Sequence, residues 1–422
     1  MKGRGPAALL AVLALCAQVA AAQDPQNPAS ELPETLNLQA LLRLVAERSP
    51  RLAAERTAVD AAQADRVTAG VLPNPTVSFG RLRPAGGANT MFEGSRQQQA
   101  GVELPLLIAG QRGARIEAAD QGVLGAQARV SLARSELALR AAELFAGLQA
   151  AQERVVVLGE AHTDIERAAA YIAGRLDSGA ASRYDVARVE IEVAGIAVRL
   201  SEARGEVTEK SAGLATLLAA PGWRPRADGL VTPAGLPSDP SAWRAALAAG
   251  NPQIVAARLE EDSARAAVRR AELERWPVPV LNLGRTWTSD PFGAANFIGL
   301  STEVPIFDTR RGPLLKAEAE LRAAERRRVA VEAEAGVELL RLLDVLSQRR
   351  AALERFESKV DLRSPALKQM AGDAYRLGRS TVLELIDAAR TRVDARLTGI
   401  ELRASAVQQE LRIQSMTGRL GN

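Results

Sequence analysis

The segment Val102-Glu-Leu-Pro-Leu-Leu-Ile-Ala-Gly-Gln-Arg-Gly113 has a counterpart about 200 residues later in the chain, Thr302-Glu-Val-Pro-Ile-Phe-Asp-Thr-Arg-Arg-Gly312. In each copy an alternating stretch, typical of a β-strand, ends at a proline, and a glycine precedes a long helical pattern. Self-similarity at a fixed offset indicates a chain that is built from two copies of one unit.

Other blocks repeat in the same order. Ser49-Pro50 and Asn251-Pro252 each open an Ala-rich helical pattern, and prolines close both patterns, at positions 73 and 75 in the first copy and at 277 and 279 in the second. The order of the blocks persists across both halves, so chance similarity is a poor explanation. A later pair of matching blocks consists of Gly179 with Tyr184-Asp185-Val186 and Gly378 with Leu383-Glu384-Leu385.

The repeat sets the predicted domain organisation. We predict a first repeat over residues 23–220, an inter-repeat linker over 221–240 and a second repeat over 241–422. Within each repeat the order is helix, strand pair, very long helix and helix. From Gly113 to Leu176, apolar residues recur at spacings of three and four, which predicts a helical rod of about 95 Å. Pro365 is expected to interrupt the matching rod of the second repeat.

Strands are predicted at 76–82 and 97–104 in the first repeat and at 280–287 and 297–304 in the second. Alternation in the last strand places Ile298 and Leu300 on one face and Glu303 on the other. The alternative is a pair of surface hairpins of a soluble protein, although isolated hairpins are only marginally stable. Half of the fourteen aromatic residues lie in or beside these regions, as a membrane-interface girdle requires: Phe79, Phe92, Trp276, Trp287, Phe292, Phe297 and Phe307.

The composition restricts the chemistry. The 422 residues include 54 basic and 50 acidic side chains, and the arginines alternate with glutamates, so we expect no nucleic-acid partner. One cysteine and one histidine cannot supply the usual zinc sites or catalytic triads. We therefore predict no enzyme activity, no cofactor and no bound metal. His162 lies among Glu160, Asp164 and Glu166, where it is either a solvated side chain or a metal ligand without a second histidine.

The N-terminus has the pattern of an export signal. Lys2 and Arg4 precede an apolar run over 7–14 and small residues over 19–22, which predicts a signal peptide over residues 1–22. Alternatively, Cys16 is the lipid-modified residue of a lipoprotein signal, but Leu15 is larger than the residue usual at that position. Cleavage after Ala22 would leave a mature chain without cysteine.

Four strands per chain cannot close a barrel, so closure needs several chains. Over nearly all of the mature chain, from about Leu36 to Leu420, the sequence resembles the outer membrane efflux family typified by the TolC channel. The resemblance rests on the duplication, the proline-flanked strands and the two glycine turns. The stretch Gly110-Gln-Arg-Gly113 looks like the CzcC-like heavy-metal branch. The family implies a trimeric 12-stranded outer-membrane β-barrel, continued by a periplasmic α-helical tunnel.

The resemblance also implies roles for individual residues. Glu384 and Asp387 match acidic positions that ring the tunnel constriction, where carboxylates attract cations. Tyr375 and Asp185 match a pair that ties neighbouring helices in the closed tip. Ser380, however, stands where a basic partner is usual. In the barrel, Glu103 and Glu303 are expected to face the lumen.

Two turns at the tunnel tip, 179–182 and 378–381, are expected to dock a periplasmic adaptor, also called a membrane fusion protein. Glycine suits such turns because it adopts positive φ. The residues assigned to docking are Gly179, Ala180, Ser182, Gly378, Arg379 and Ser380.

The expected function is therefore a passive exit duct in the cell outer membrane that extends into the periplasm. Its expected partners are two further copies of the chain, the adaptor, an inner-membrane pump of RND type and outer-membrane lipid, and its expected cargo is heavy-metal cations. Three alternatives remain. Two keep the channel but assign it to drug efflux or to type I protein secretion, and the third is a periplasmic coiled-coil protein without a pore.

Overall fold

The computed structural model describes residues 32–83, 96–235, 239–288, 293–360 and 364–420. The predicted signal peptide over 1–22, Cys16, Phe92 and Phe292 lie outside these residues. The helices are α1 Leu38–Arg48, α2 Pro50–Gly70, α3 Gln111–Asp177, α4 Arg183–Leu217, α5 Pro240–Gly250, α6 Pro252–Leu273, α7 Arg311–Val360, α8 Ser364–Arg376 and α9 Val382–Met416. The strands are β1 Thr35–Leu36, β2 Thr76–Leu82, β3 Gln97–Pro105, β4 Arg226–Ala227, β5 Val280–Thr288 and β6 Ala294–Ser301.

The long helices dominate the structure. α3 has 67 residues and is therefore about 100 Å long, close to the predicted rod. In the second repeat the counterpart of α3 is described as α7, up to Val360, and α8, from Ser364; the residues just before the predicted interruption at Pro365, 361–363, lie outside the described ranges. α3 packs against α2, α4, α6 and α9, so one helix connects both repeats. Among the described residues, no helix is both long and apolar enough to cross a membrane.

Alanine allows these helices to pack closely. Ala141, Ala142 and Ala146 of α3 are almost completely buried. Side chains this small let helix backbones approach, while larger residues fill the remaining gaps of the core. The larger residues of the cores include Leu148 of the first repeat with Trp223 of the linker, Trp243 and Leu339 in the second repeat, and Ile172, Val189 and Ile386 between α3, α4 and α9.

All four long strands form one antiparallel sheet in the order β2-β3-β5-β6. The two predicted strand pairs therefore join through β3 and β5, from Gln97 opposite Thr288 to Pro105 opposite Val280. β6 begins and ends three residues earlier than predicted. Val280 pairs with Ser301, and the residues before Val280 include Pro277 and Pro279, which lack the backbone N–H that would continue the ladder.

The predicted linker contains β4 and folds against the first repeat. β4 pairs in parallel with β1, and the indole N–H of Trp223 donates to the carbonyl of Pro33 at 3.0 Å. Farther along the linker, the backbone N–H groups of Ala234 and Gly235 donate to the carboxylate of Glu410 on α9. The linker is thus bonded to the segment that precedes α1 and to α9, the last helix of the chain.

Candidate functional site

The turn between α3 and α4 and the turn between α8 and α9 have the same backbone structure. Gly179 has φ +74° and Gly378 has φ +68°, a left-handed conformation that favours glycine. The N–H of Ala180 donates to Arg175 O at 2.8 Å, and the N–H of Arg379 donates to Ala374 O at the same distance. Both helices therefore end in a Schellman motif. This conformation accounts for the glycines, whereas adaptor docking at these turns stays a prediction.

A capping box follows each turn. The hydroxyl of Ser182 accepts from the N–H of Asp185 at 3.1 Å, and the Asp185 carboxylate accepts from the N–H of Ser182 at 3.0 Å. Thr381 and Glu384 make the same pair of bonds, at 3.2 and 2.8 Å. The pattern Ser/Thr-x-x-Asp/Glu is a helix-start signal that the sequence already contained. Asp185 and Glu384 thus each stabilise the start of their own helix.

Glu384 and Asp387 lie on the exposed side of α9. Val382 and Ile386 point the other way and are buried, 5% and 2% exposed respectively. Glu384 nevertheless directs one carboxylate oxygen to Thr381, so Asp387 is the less engaged of the two acids. The structure therefore brings the two predicted acids to one side of one helix, while their assembly into a ring stays a prediction.

Asp387 has a cationic neighbour. Arg390, one turn farther along α9, donates from Nε to both carboxylate oxygens of Glu192 on α4, at 2.9 and 2.8 Å. The hydrogen bond to Glu192 raises the pKa of Arg390, and the negative charge of Asp387 acts in the same direction. Arg390 therefore remains charged and links α9 to α4 just above the candidate acidic site.

Tyr375 is held by packing. Its ring is 7% exposed, meets Tyr171 edge-on at 6.0 Å and lies 5.4 Å from the guanidinium carbon of Arg175. Burial raises the pKa of the Tyr375 hydroxyl; the charge of Arg175 opposes this shift, and the charge of Asp185 adds to it. The Asp185 carboxylate accepts from the N–H and the hydroxyl of Ser182. The roles of Tyr375 and Asp185 in tying neighbouring helices of the closed tip stay a prediction.

Ser380 differs from its neighbours in the same turn. Its hydroxyl oxygen is buried and has no hydrogen-bond partner in the described part of the chain. Arg379, beside it, is exposed. The basic group that the family resemblance places at position 380 is therefore not replaced by a polar contact of Ser380 within the chain.

Arginines of α9 form a series of ion pairs with acids of α3. Arg403 donates to Glu153 at 2.8 Å and Arg412 donates to Glu143 at 2.9 Å. The paired residues are separated by 250 and 269 positions in the chain. The pairing is therefore not visible in the sequence, where these charges look like the solvent-exposed face of a helix. Two further pairs of the series are Arg396 with Glu160 and Arg392 with Asp164.

His162 is paired with a single carboxylate of its own helix. Its Nδ1 lies 3.3 Å from a carboxylate oxygen of Glu166, one turn away on α3. Glu160 and Asp164, the other acids near it in sequence, are paired with arginines. Within the described ranges, no group of three or more His, Cys, Asp and Glu side chains is arranged to hold a metal ion.

The sheet has one apolar face and one polar face. The register places Val77, Val102, Leu283 and Ile298 side by side across the four strands, and all four are exposed by 40% or more. The opposite face carries Glu103, Asn282 and mostly small or polar residues, together with Leu82, Val280 and Phe297. Such an exposed apolar face is unstable in water, so it marks a surface that is covered in the assembled protein.

Two predictions for the sheet need correction. Glu303 lies beyond the end of β6 at Ser301, so strand alternation does not fix its direction. Glu103 lies on the polar face of the sheet, and its orientation toward a lumen stays a prediction. Phe297 lies on that polar face and not among the apolar girdle residues. Its ring covers Gly284, where a Cβ would come within 2.3 Å of the ring.

Comparisons with known proteins agree with this architecture. The family model described as "Outer membrane efflux protein" matches residues 41–220 and 243–419. The cobalt-zinc-cadmium resistance protein CzcC of Cupriavidus metallidurans is 25% identical over 391 residues, which cover 91% of this chain and 90% of that protein. The nickel and cobalt resistance protein CnrC of the same organism is 27% identical over 298 residues, covering 68% of each chain.

Solved structures show the same fold. The outer membrane protein VceC of Vibrio cholerae superposes with a TM-score of 0.72 at 17% identity and covers 91% of this chain and 97% of its own. CusC gives a TM-score of 0.74 at 17% identity, over 95% of this chain and all of its own. The Campylobacter jejuni CmeC outer membrane channel gives 0.76 at 14% identity, over 91% of this chain and 86% of its own.

Proposed function

This chain belongs to the outer membrane efflux protein family, and on that basis we propose that three copies form the outer-membrane exit duct of a tripartite efflux system. The duct passively conducts heavy-metal cations to the exterior. A periplasmic adaptor and an inner-membrane pump of RND type deliver the cations to it. The barrel contacts outer-membrane lipid, and the helices extend into the periplasm.

The four-stranded sheet is the observation that carries this proposal. In the described part of the chain, β2 and β6 each have one unpaired edge, and the apolar face is exposed. Unpaired edges and exposed apolar side chains are both unfavourable in an isolated chain. Three copies of a four-stranded sheet would join edge to edge into twelve strands, with the apolar face toward lipid and the polar face toward the lumen.

The ends of the apolar face fit this orientation. Ile108, Ile306 and Phe307 are largely exposed where the strands meet the helices. At the other end, Arg81 and Arg285 share the face with apolar residues. Arginine is costly in the centre of a bilayer, so these two residues mark the lipid headgroup level.

The names of the relatives support the cargo. CzcC is named for resistance to cobalt, zinc and cadmium, and CnrC for resistance to nickel and cobalt. A metal cargo needs no resident metal site in a duct, because the duct only has to let the cation pass.

The cargo is tested by deleting the gene in its own host and measuring growth in zinc, cobalt, cadmium and nickel salts and in a panel of hydrophobic drugs. We expect at least one metal to inhibit the deletion strain at a clearly lower concentration, with drug tolerance unchanged and metal tolerance restored by the intact gene. If the deletion lowered drug tolerance alone, the cargo would be drugs and the proposed metal cargo would be wrong.

Cysteine labelling tests the orientation of the sheet. A Glu103→Cys variant should react with a membrane-impermeant thiol reagent supplied through the pore, whereas Val102→Cys should be protected by lipid. The two positions are adjacent in β3, so they differ only in the face of the sheet. Mass spectrometry of trimers in vesicles measures the modified fraction. The reverse pattern would show that the polar face does not line the lumen.

The capping boxes predict a local effect at the tip. Thr381→Ala removes the side-chain acceptor for the Glu384 N–H and should weaken the first turn of α9 by about 1 kcal/mol. Hydrogen–deuterium exchange of amides 382–385 should then be about fivefold faster. Thr163→Ala is the matched control, because Thr163 is an exposed threonine inside α3 whose hydroxyl donates to the carbonyl of Gly159, one turn earlier in the same helix. Equal exchange in both variants would contradict the capping role.

A further inference from the structure

A cavity of about 860 Å³ lies between α3, α4 and the segment 224–230, here called the strap. The strap passes across α3 after α4 has ended, and α9 contributes Arg396 and Arg403 to the lining. The cavity is far from the sheet in sequence and contains none of the residues assigned to the tip. Nothing in the proposed duct function uses it.

The strap is fixed on α3 by side-chain bonds to its backbone. The Gln152 amide donates to Ala227 O at 3.0 Å and accepts from Ala227 N at 2.8 Å. The Gln149 amide donates to Asp228 O at 2.8 Å, and directly after the strap Glu153 accepts from Val231 N at 2.7 Å. Side chains that start from the strap are therefore presented on a rigid backbone.

The lining carries an excess of positive charge. It contains five arginines and one acidic residue, Glu153. Arg403 is paired with Glu153 and Arg396 with Glu160. In the ranges that the structure covers, the guanidinium groups of Arg204, Arg224 and Arg226 have no ion pair. All three side chains are exposed, so water and salt screen much of their mutual repulsion, and their guanidinium groups are accessible to an anion at this cavity.

The wall between the arginines is mostly apolar. Val155, Val207 and Leu230 lie there, and Ser211, on the α4 side, is only 4% exposed. The Ser211 hydroxyl is too deeply buried to reach a molecule in the cavity. The apolar wall can therefore contact the carbon body of a ligand whose charged groups meet the arginines.

We propose that this cavity binds an organic anion that carries at least two carboxylate or phosphate groups on a small apolar body. Two or more negative groups match the three unpaired guanidinium groups, which bind planar or tetrahedral oxyanions through paired N–H donors. The volume and the valine wall accommodate more than inorganic phosphate. The site is built from one chain and does not depend on what the duct conducts.

Isothermal titration calorimetry of the detergent-solubilised full-length protein tests the site. Citrate is the carboxylate probe and fructose 1,6-bisphosphate the phosphate probe, each in metal-free buffer at matched ionic strength. We expect one saturable site per chain for at least one probe, and the stronger probe identifies the headgroup chemistry. Thermal unfolding in the same solutions should shift upward with probe concentration.

Variants separate the site from general charge effects. Arg224→Gln should weaken binding about tenfold, and the Arg224→Gln/Arg226→Gln pair should weaken it at least about 100-fold. Arg226→Lys keeps the charge but loses the forked geometry and should bind several-fold more weakly. Arg183→Gln, at an exposed arginine of the tip, is the control and should bind like the parent. Absence of saturable binding by the parent, or equal binding by the Arg224/Arg226 pair and the control, would overturn the proposal.

Discussion

Replacing Glu410 by Ala is expected to lower the free energy of unfolding by about 3 kcal/mol per chain. The Glu410 side chain is 3% exposed and lies 2.5 Å from the guanidinium of Arg350 on α7. It also accepts from the backbone N–H groups of Ala234 and Gly235 in the linker. Alanine would remove the buried partner of this ion pair and leave two backbone donors of the linker without this acceptor.

Urea unfolding followed by circular dichroism measures the change. Glu410→Gln keeps the shape and one acceptor oxygen, so we expect a smaller loss than for alanine. Glu401→Ala is the matched control, because Glu401 lies on the exposed side of the same helix and surface substitutions cost little. A Glu410→Ala variant as stable as Glu401→Ala would show that this carboxylate does not hold the linker.

Glu410 illustrates what the sequence could not predict. Its partners lie 60 and 176 positions away, so no local spacing identifies them. On the printed sequence it resembles the other glutamates that alternate with arginine along α9. The same limit applies to the ion pairs between α9 and α3. To predict which charges pair over long range, one must know how the helices are rotated relative to one another, and the periodicity of the sequence does not give that orientation.

Local signals performed better. The long helix α3 and the strands β2, β3 and β5 could be predicted because their patterns are long and proline-bounded. The end of β6 was misplaced because the limit is set by the prolines of its neighbour β5 and not by its own residues. The length of a strand thus depends on whether its neighbouring strand offers backbone N–H groups for hydrogen bonds.

At the tip, two acids have a local role besides the one that the family resemblance implies. Asp185 matches a position that ties neighbouring helices and Glu384 a position in the acidic ring, but each is also the N3 residue of a capping box. The burial of Tyr375 against Tyr171 joins residues 204 positions apart by their numbers, so it could be found only in the structure. Of the acids near the candidate constriction, Asp387 is therefore the one whose carboxylate is least committed within the chain.

Replacing Asp387 by Asn is expected to reduce the preference of the channel for cations over anions by about tenfold. In a trimer, three Asp387 carboxylates around one axis would create a negative potential in a narrow aqueous passage, and Asn removes the charge with little change in shape. Glu384→Gln should have a smaller effect, because one of its carboxylate oxygens already accepts from the N–H of Thr381.

The measurement is the reversal potential of single channels in planar bilayers under a salt gradient, together with block by a trivalent cation. Asp177→Asn is the matched control, because Asp177 is exposed at the end of α3 beside the other turn, outside the predicted ring. We expect the control to keep both selectivity and block, and all variants to remain trimeric, since the sheet and not the tip would join the three chains. If Asp387→Asn and the Asp387→Asn/Glu384→Gln pair both retain the selectivity of the parent, these acids do not line the constriction. They are then only water-exposed side chains on the outer side of α9.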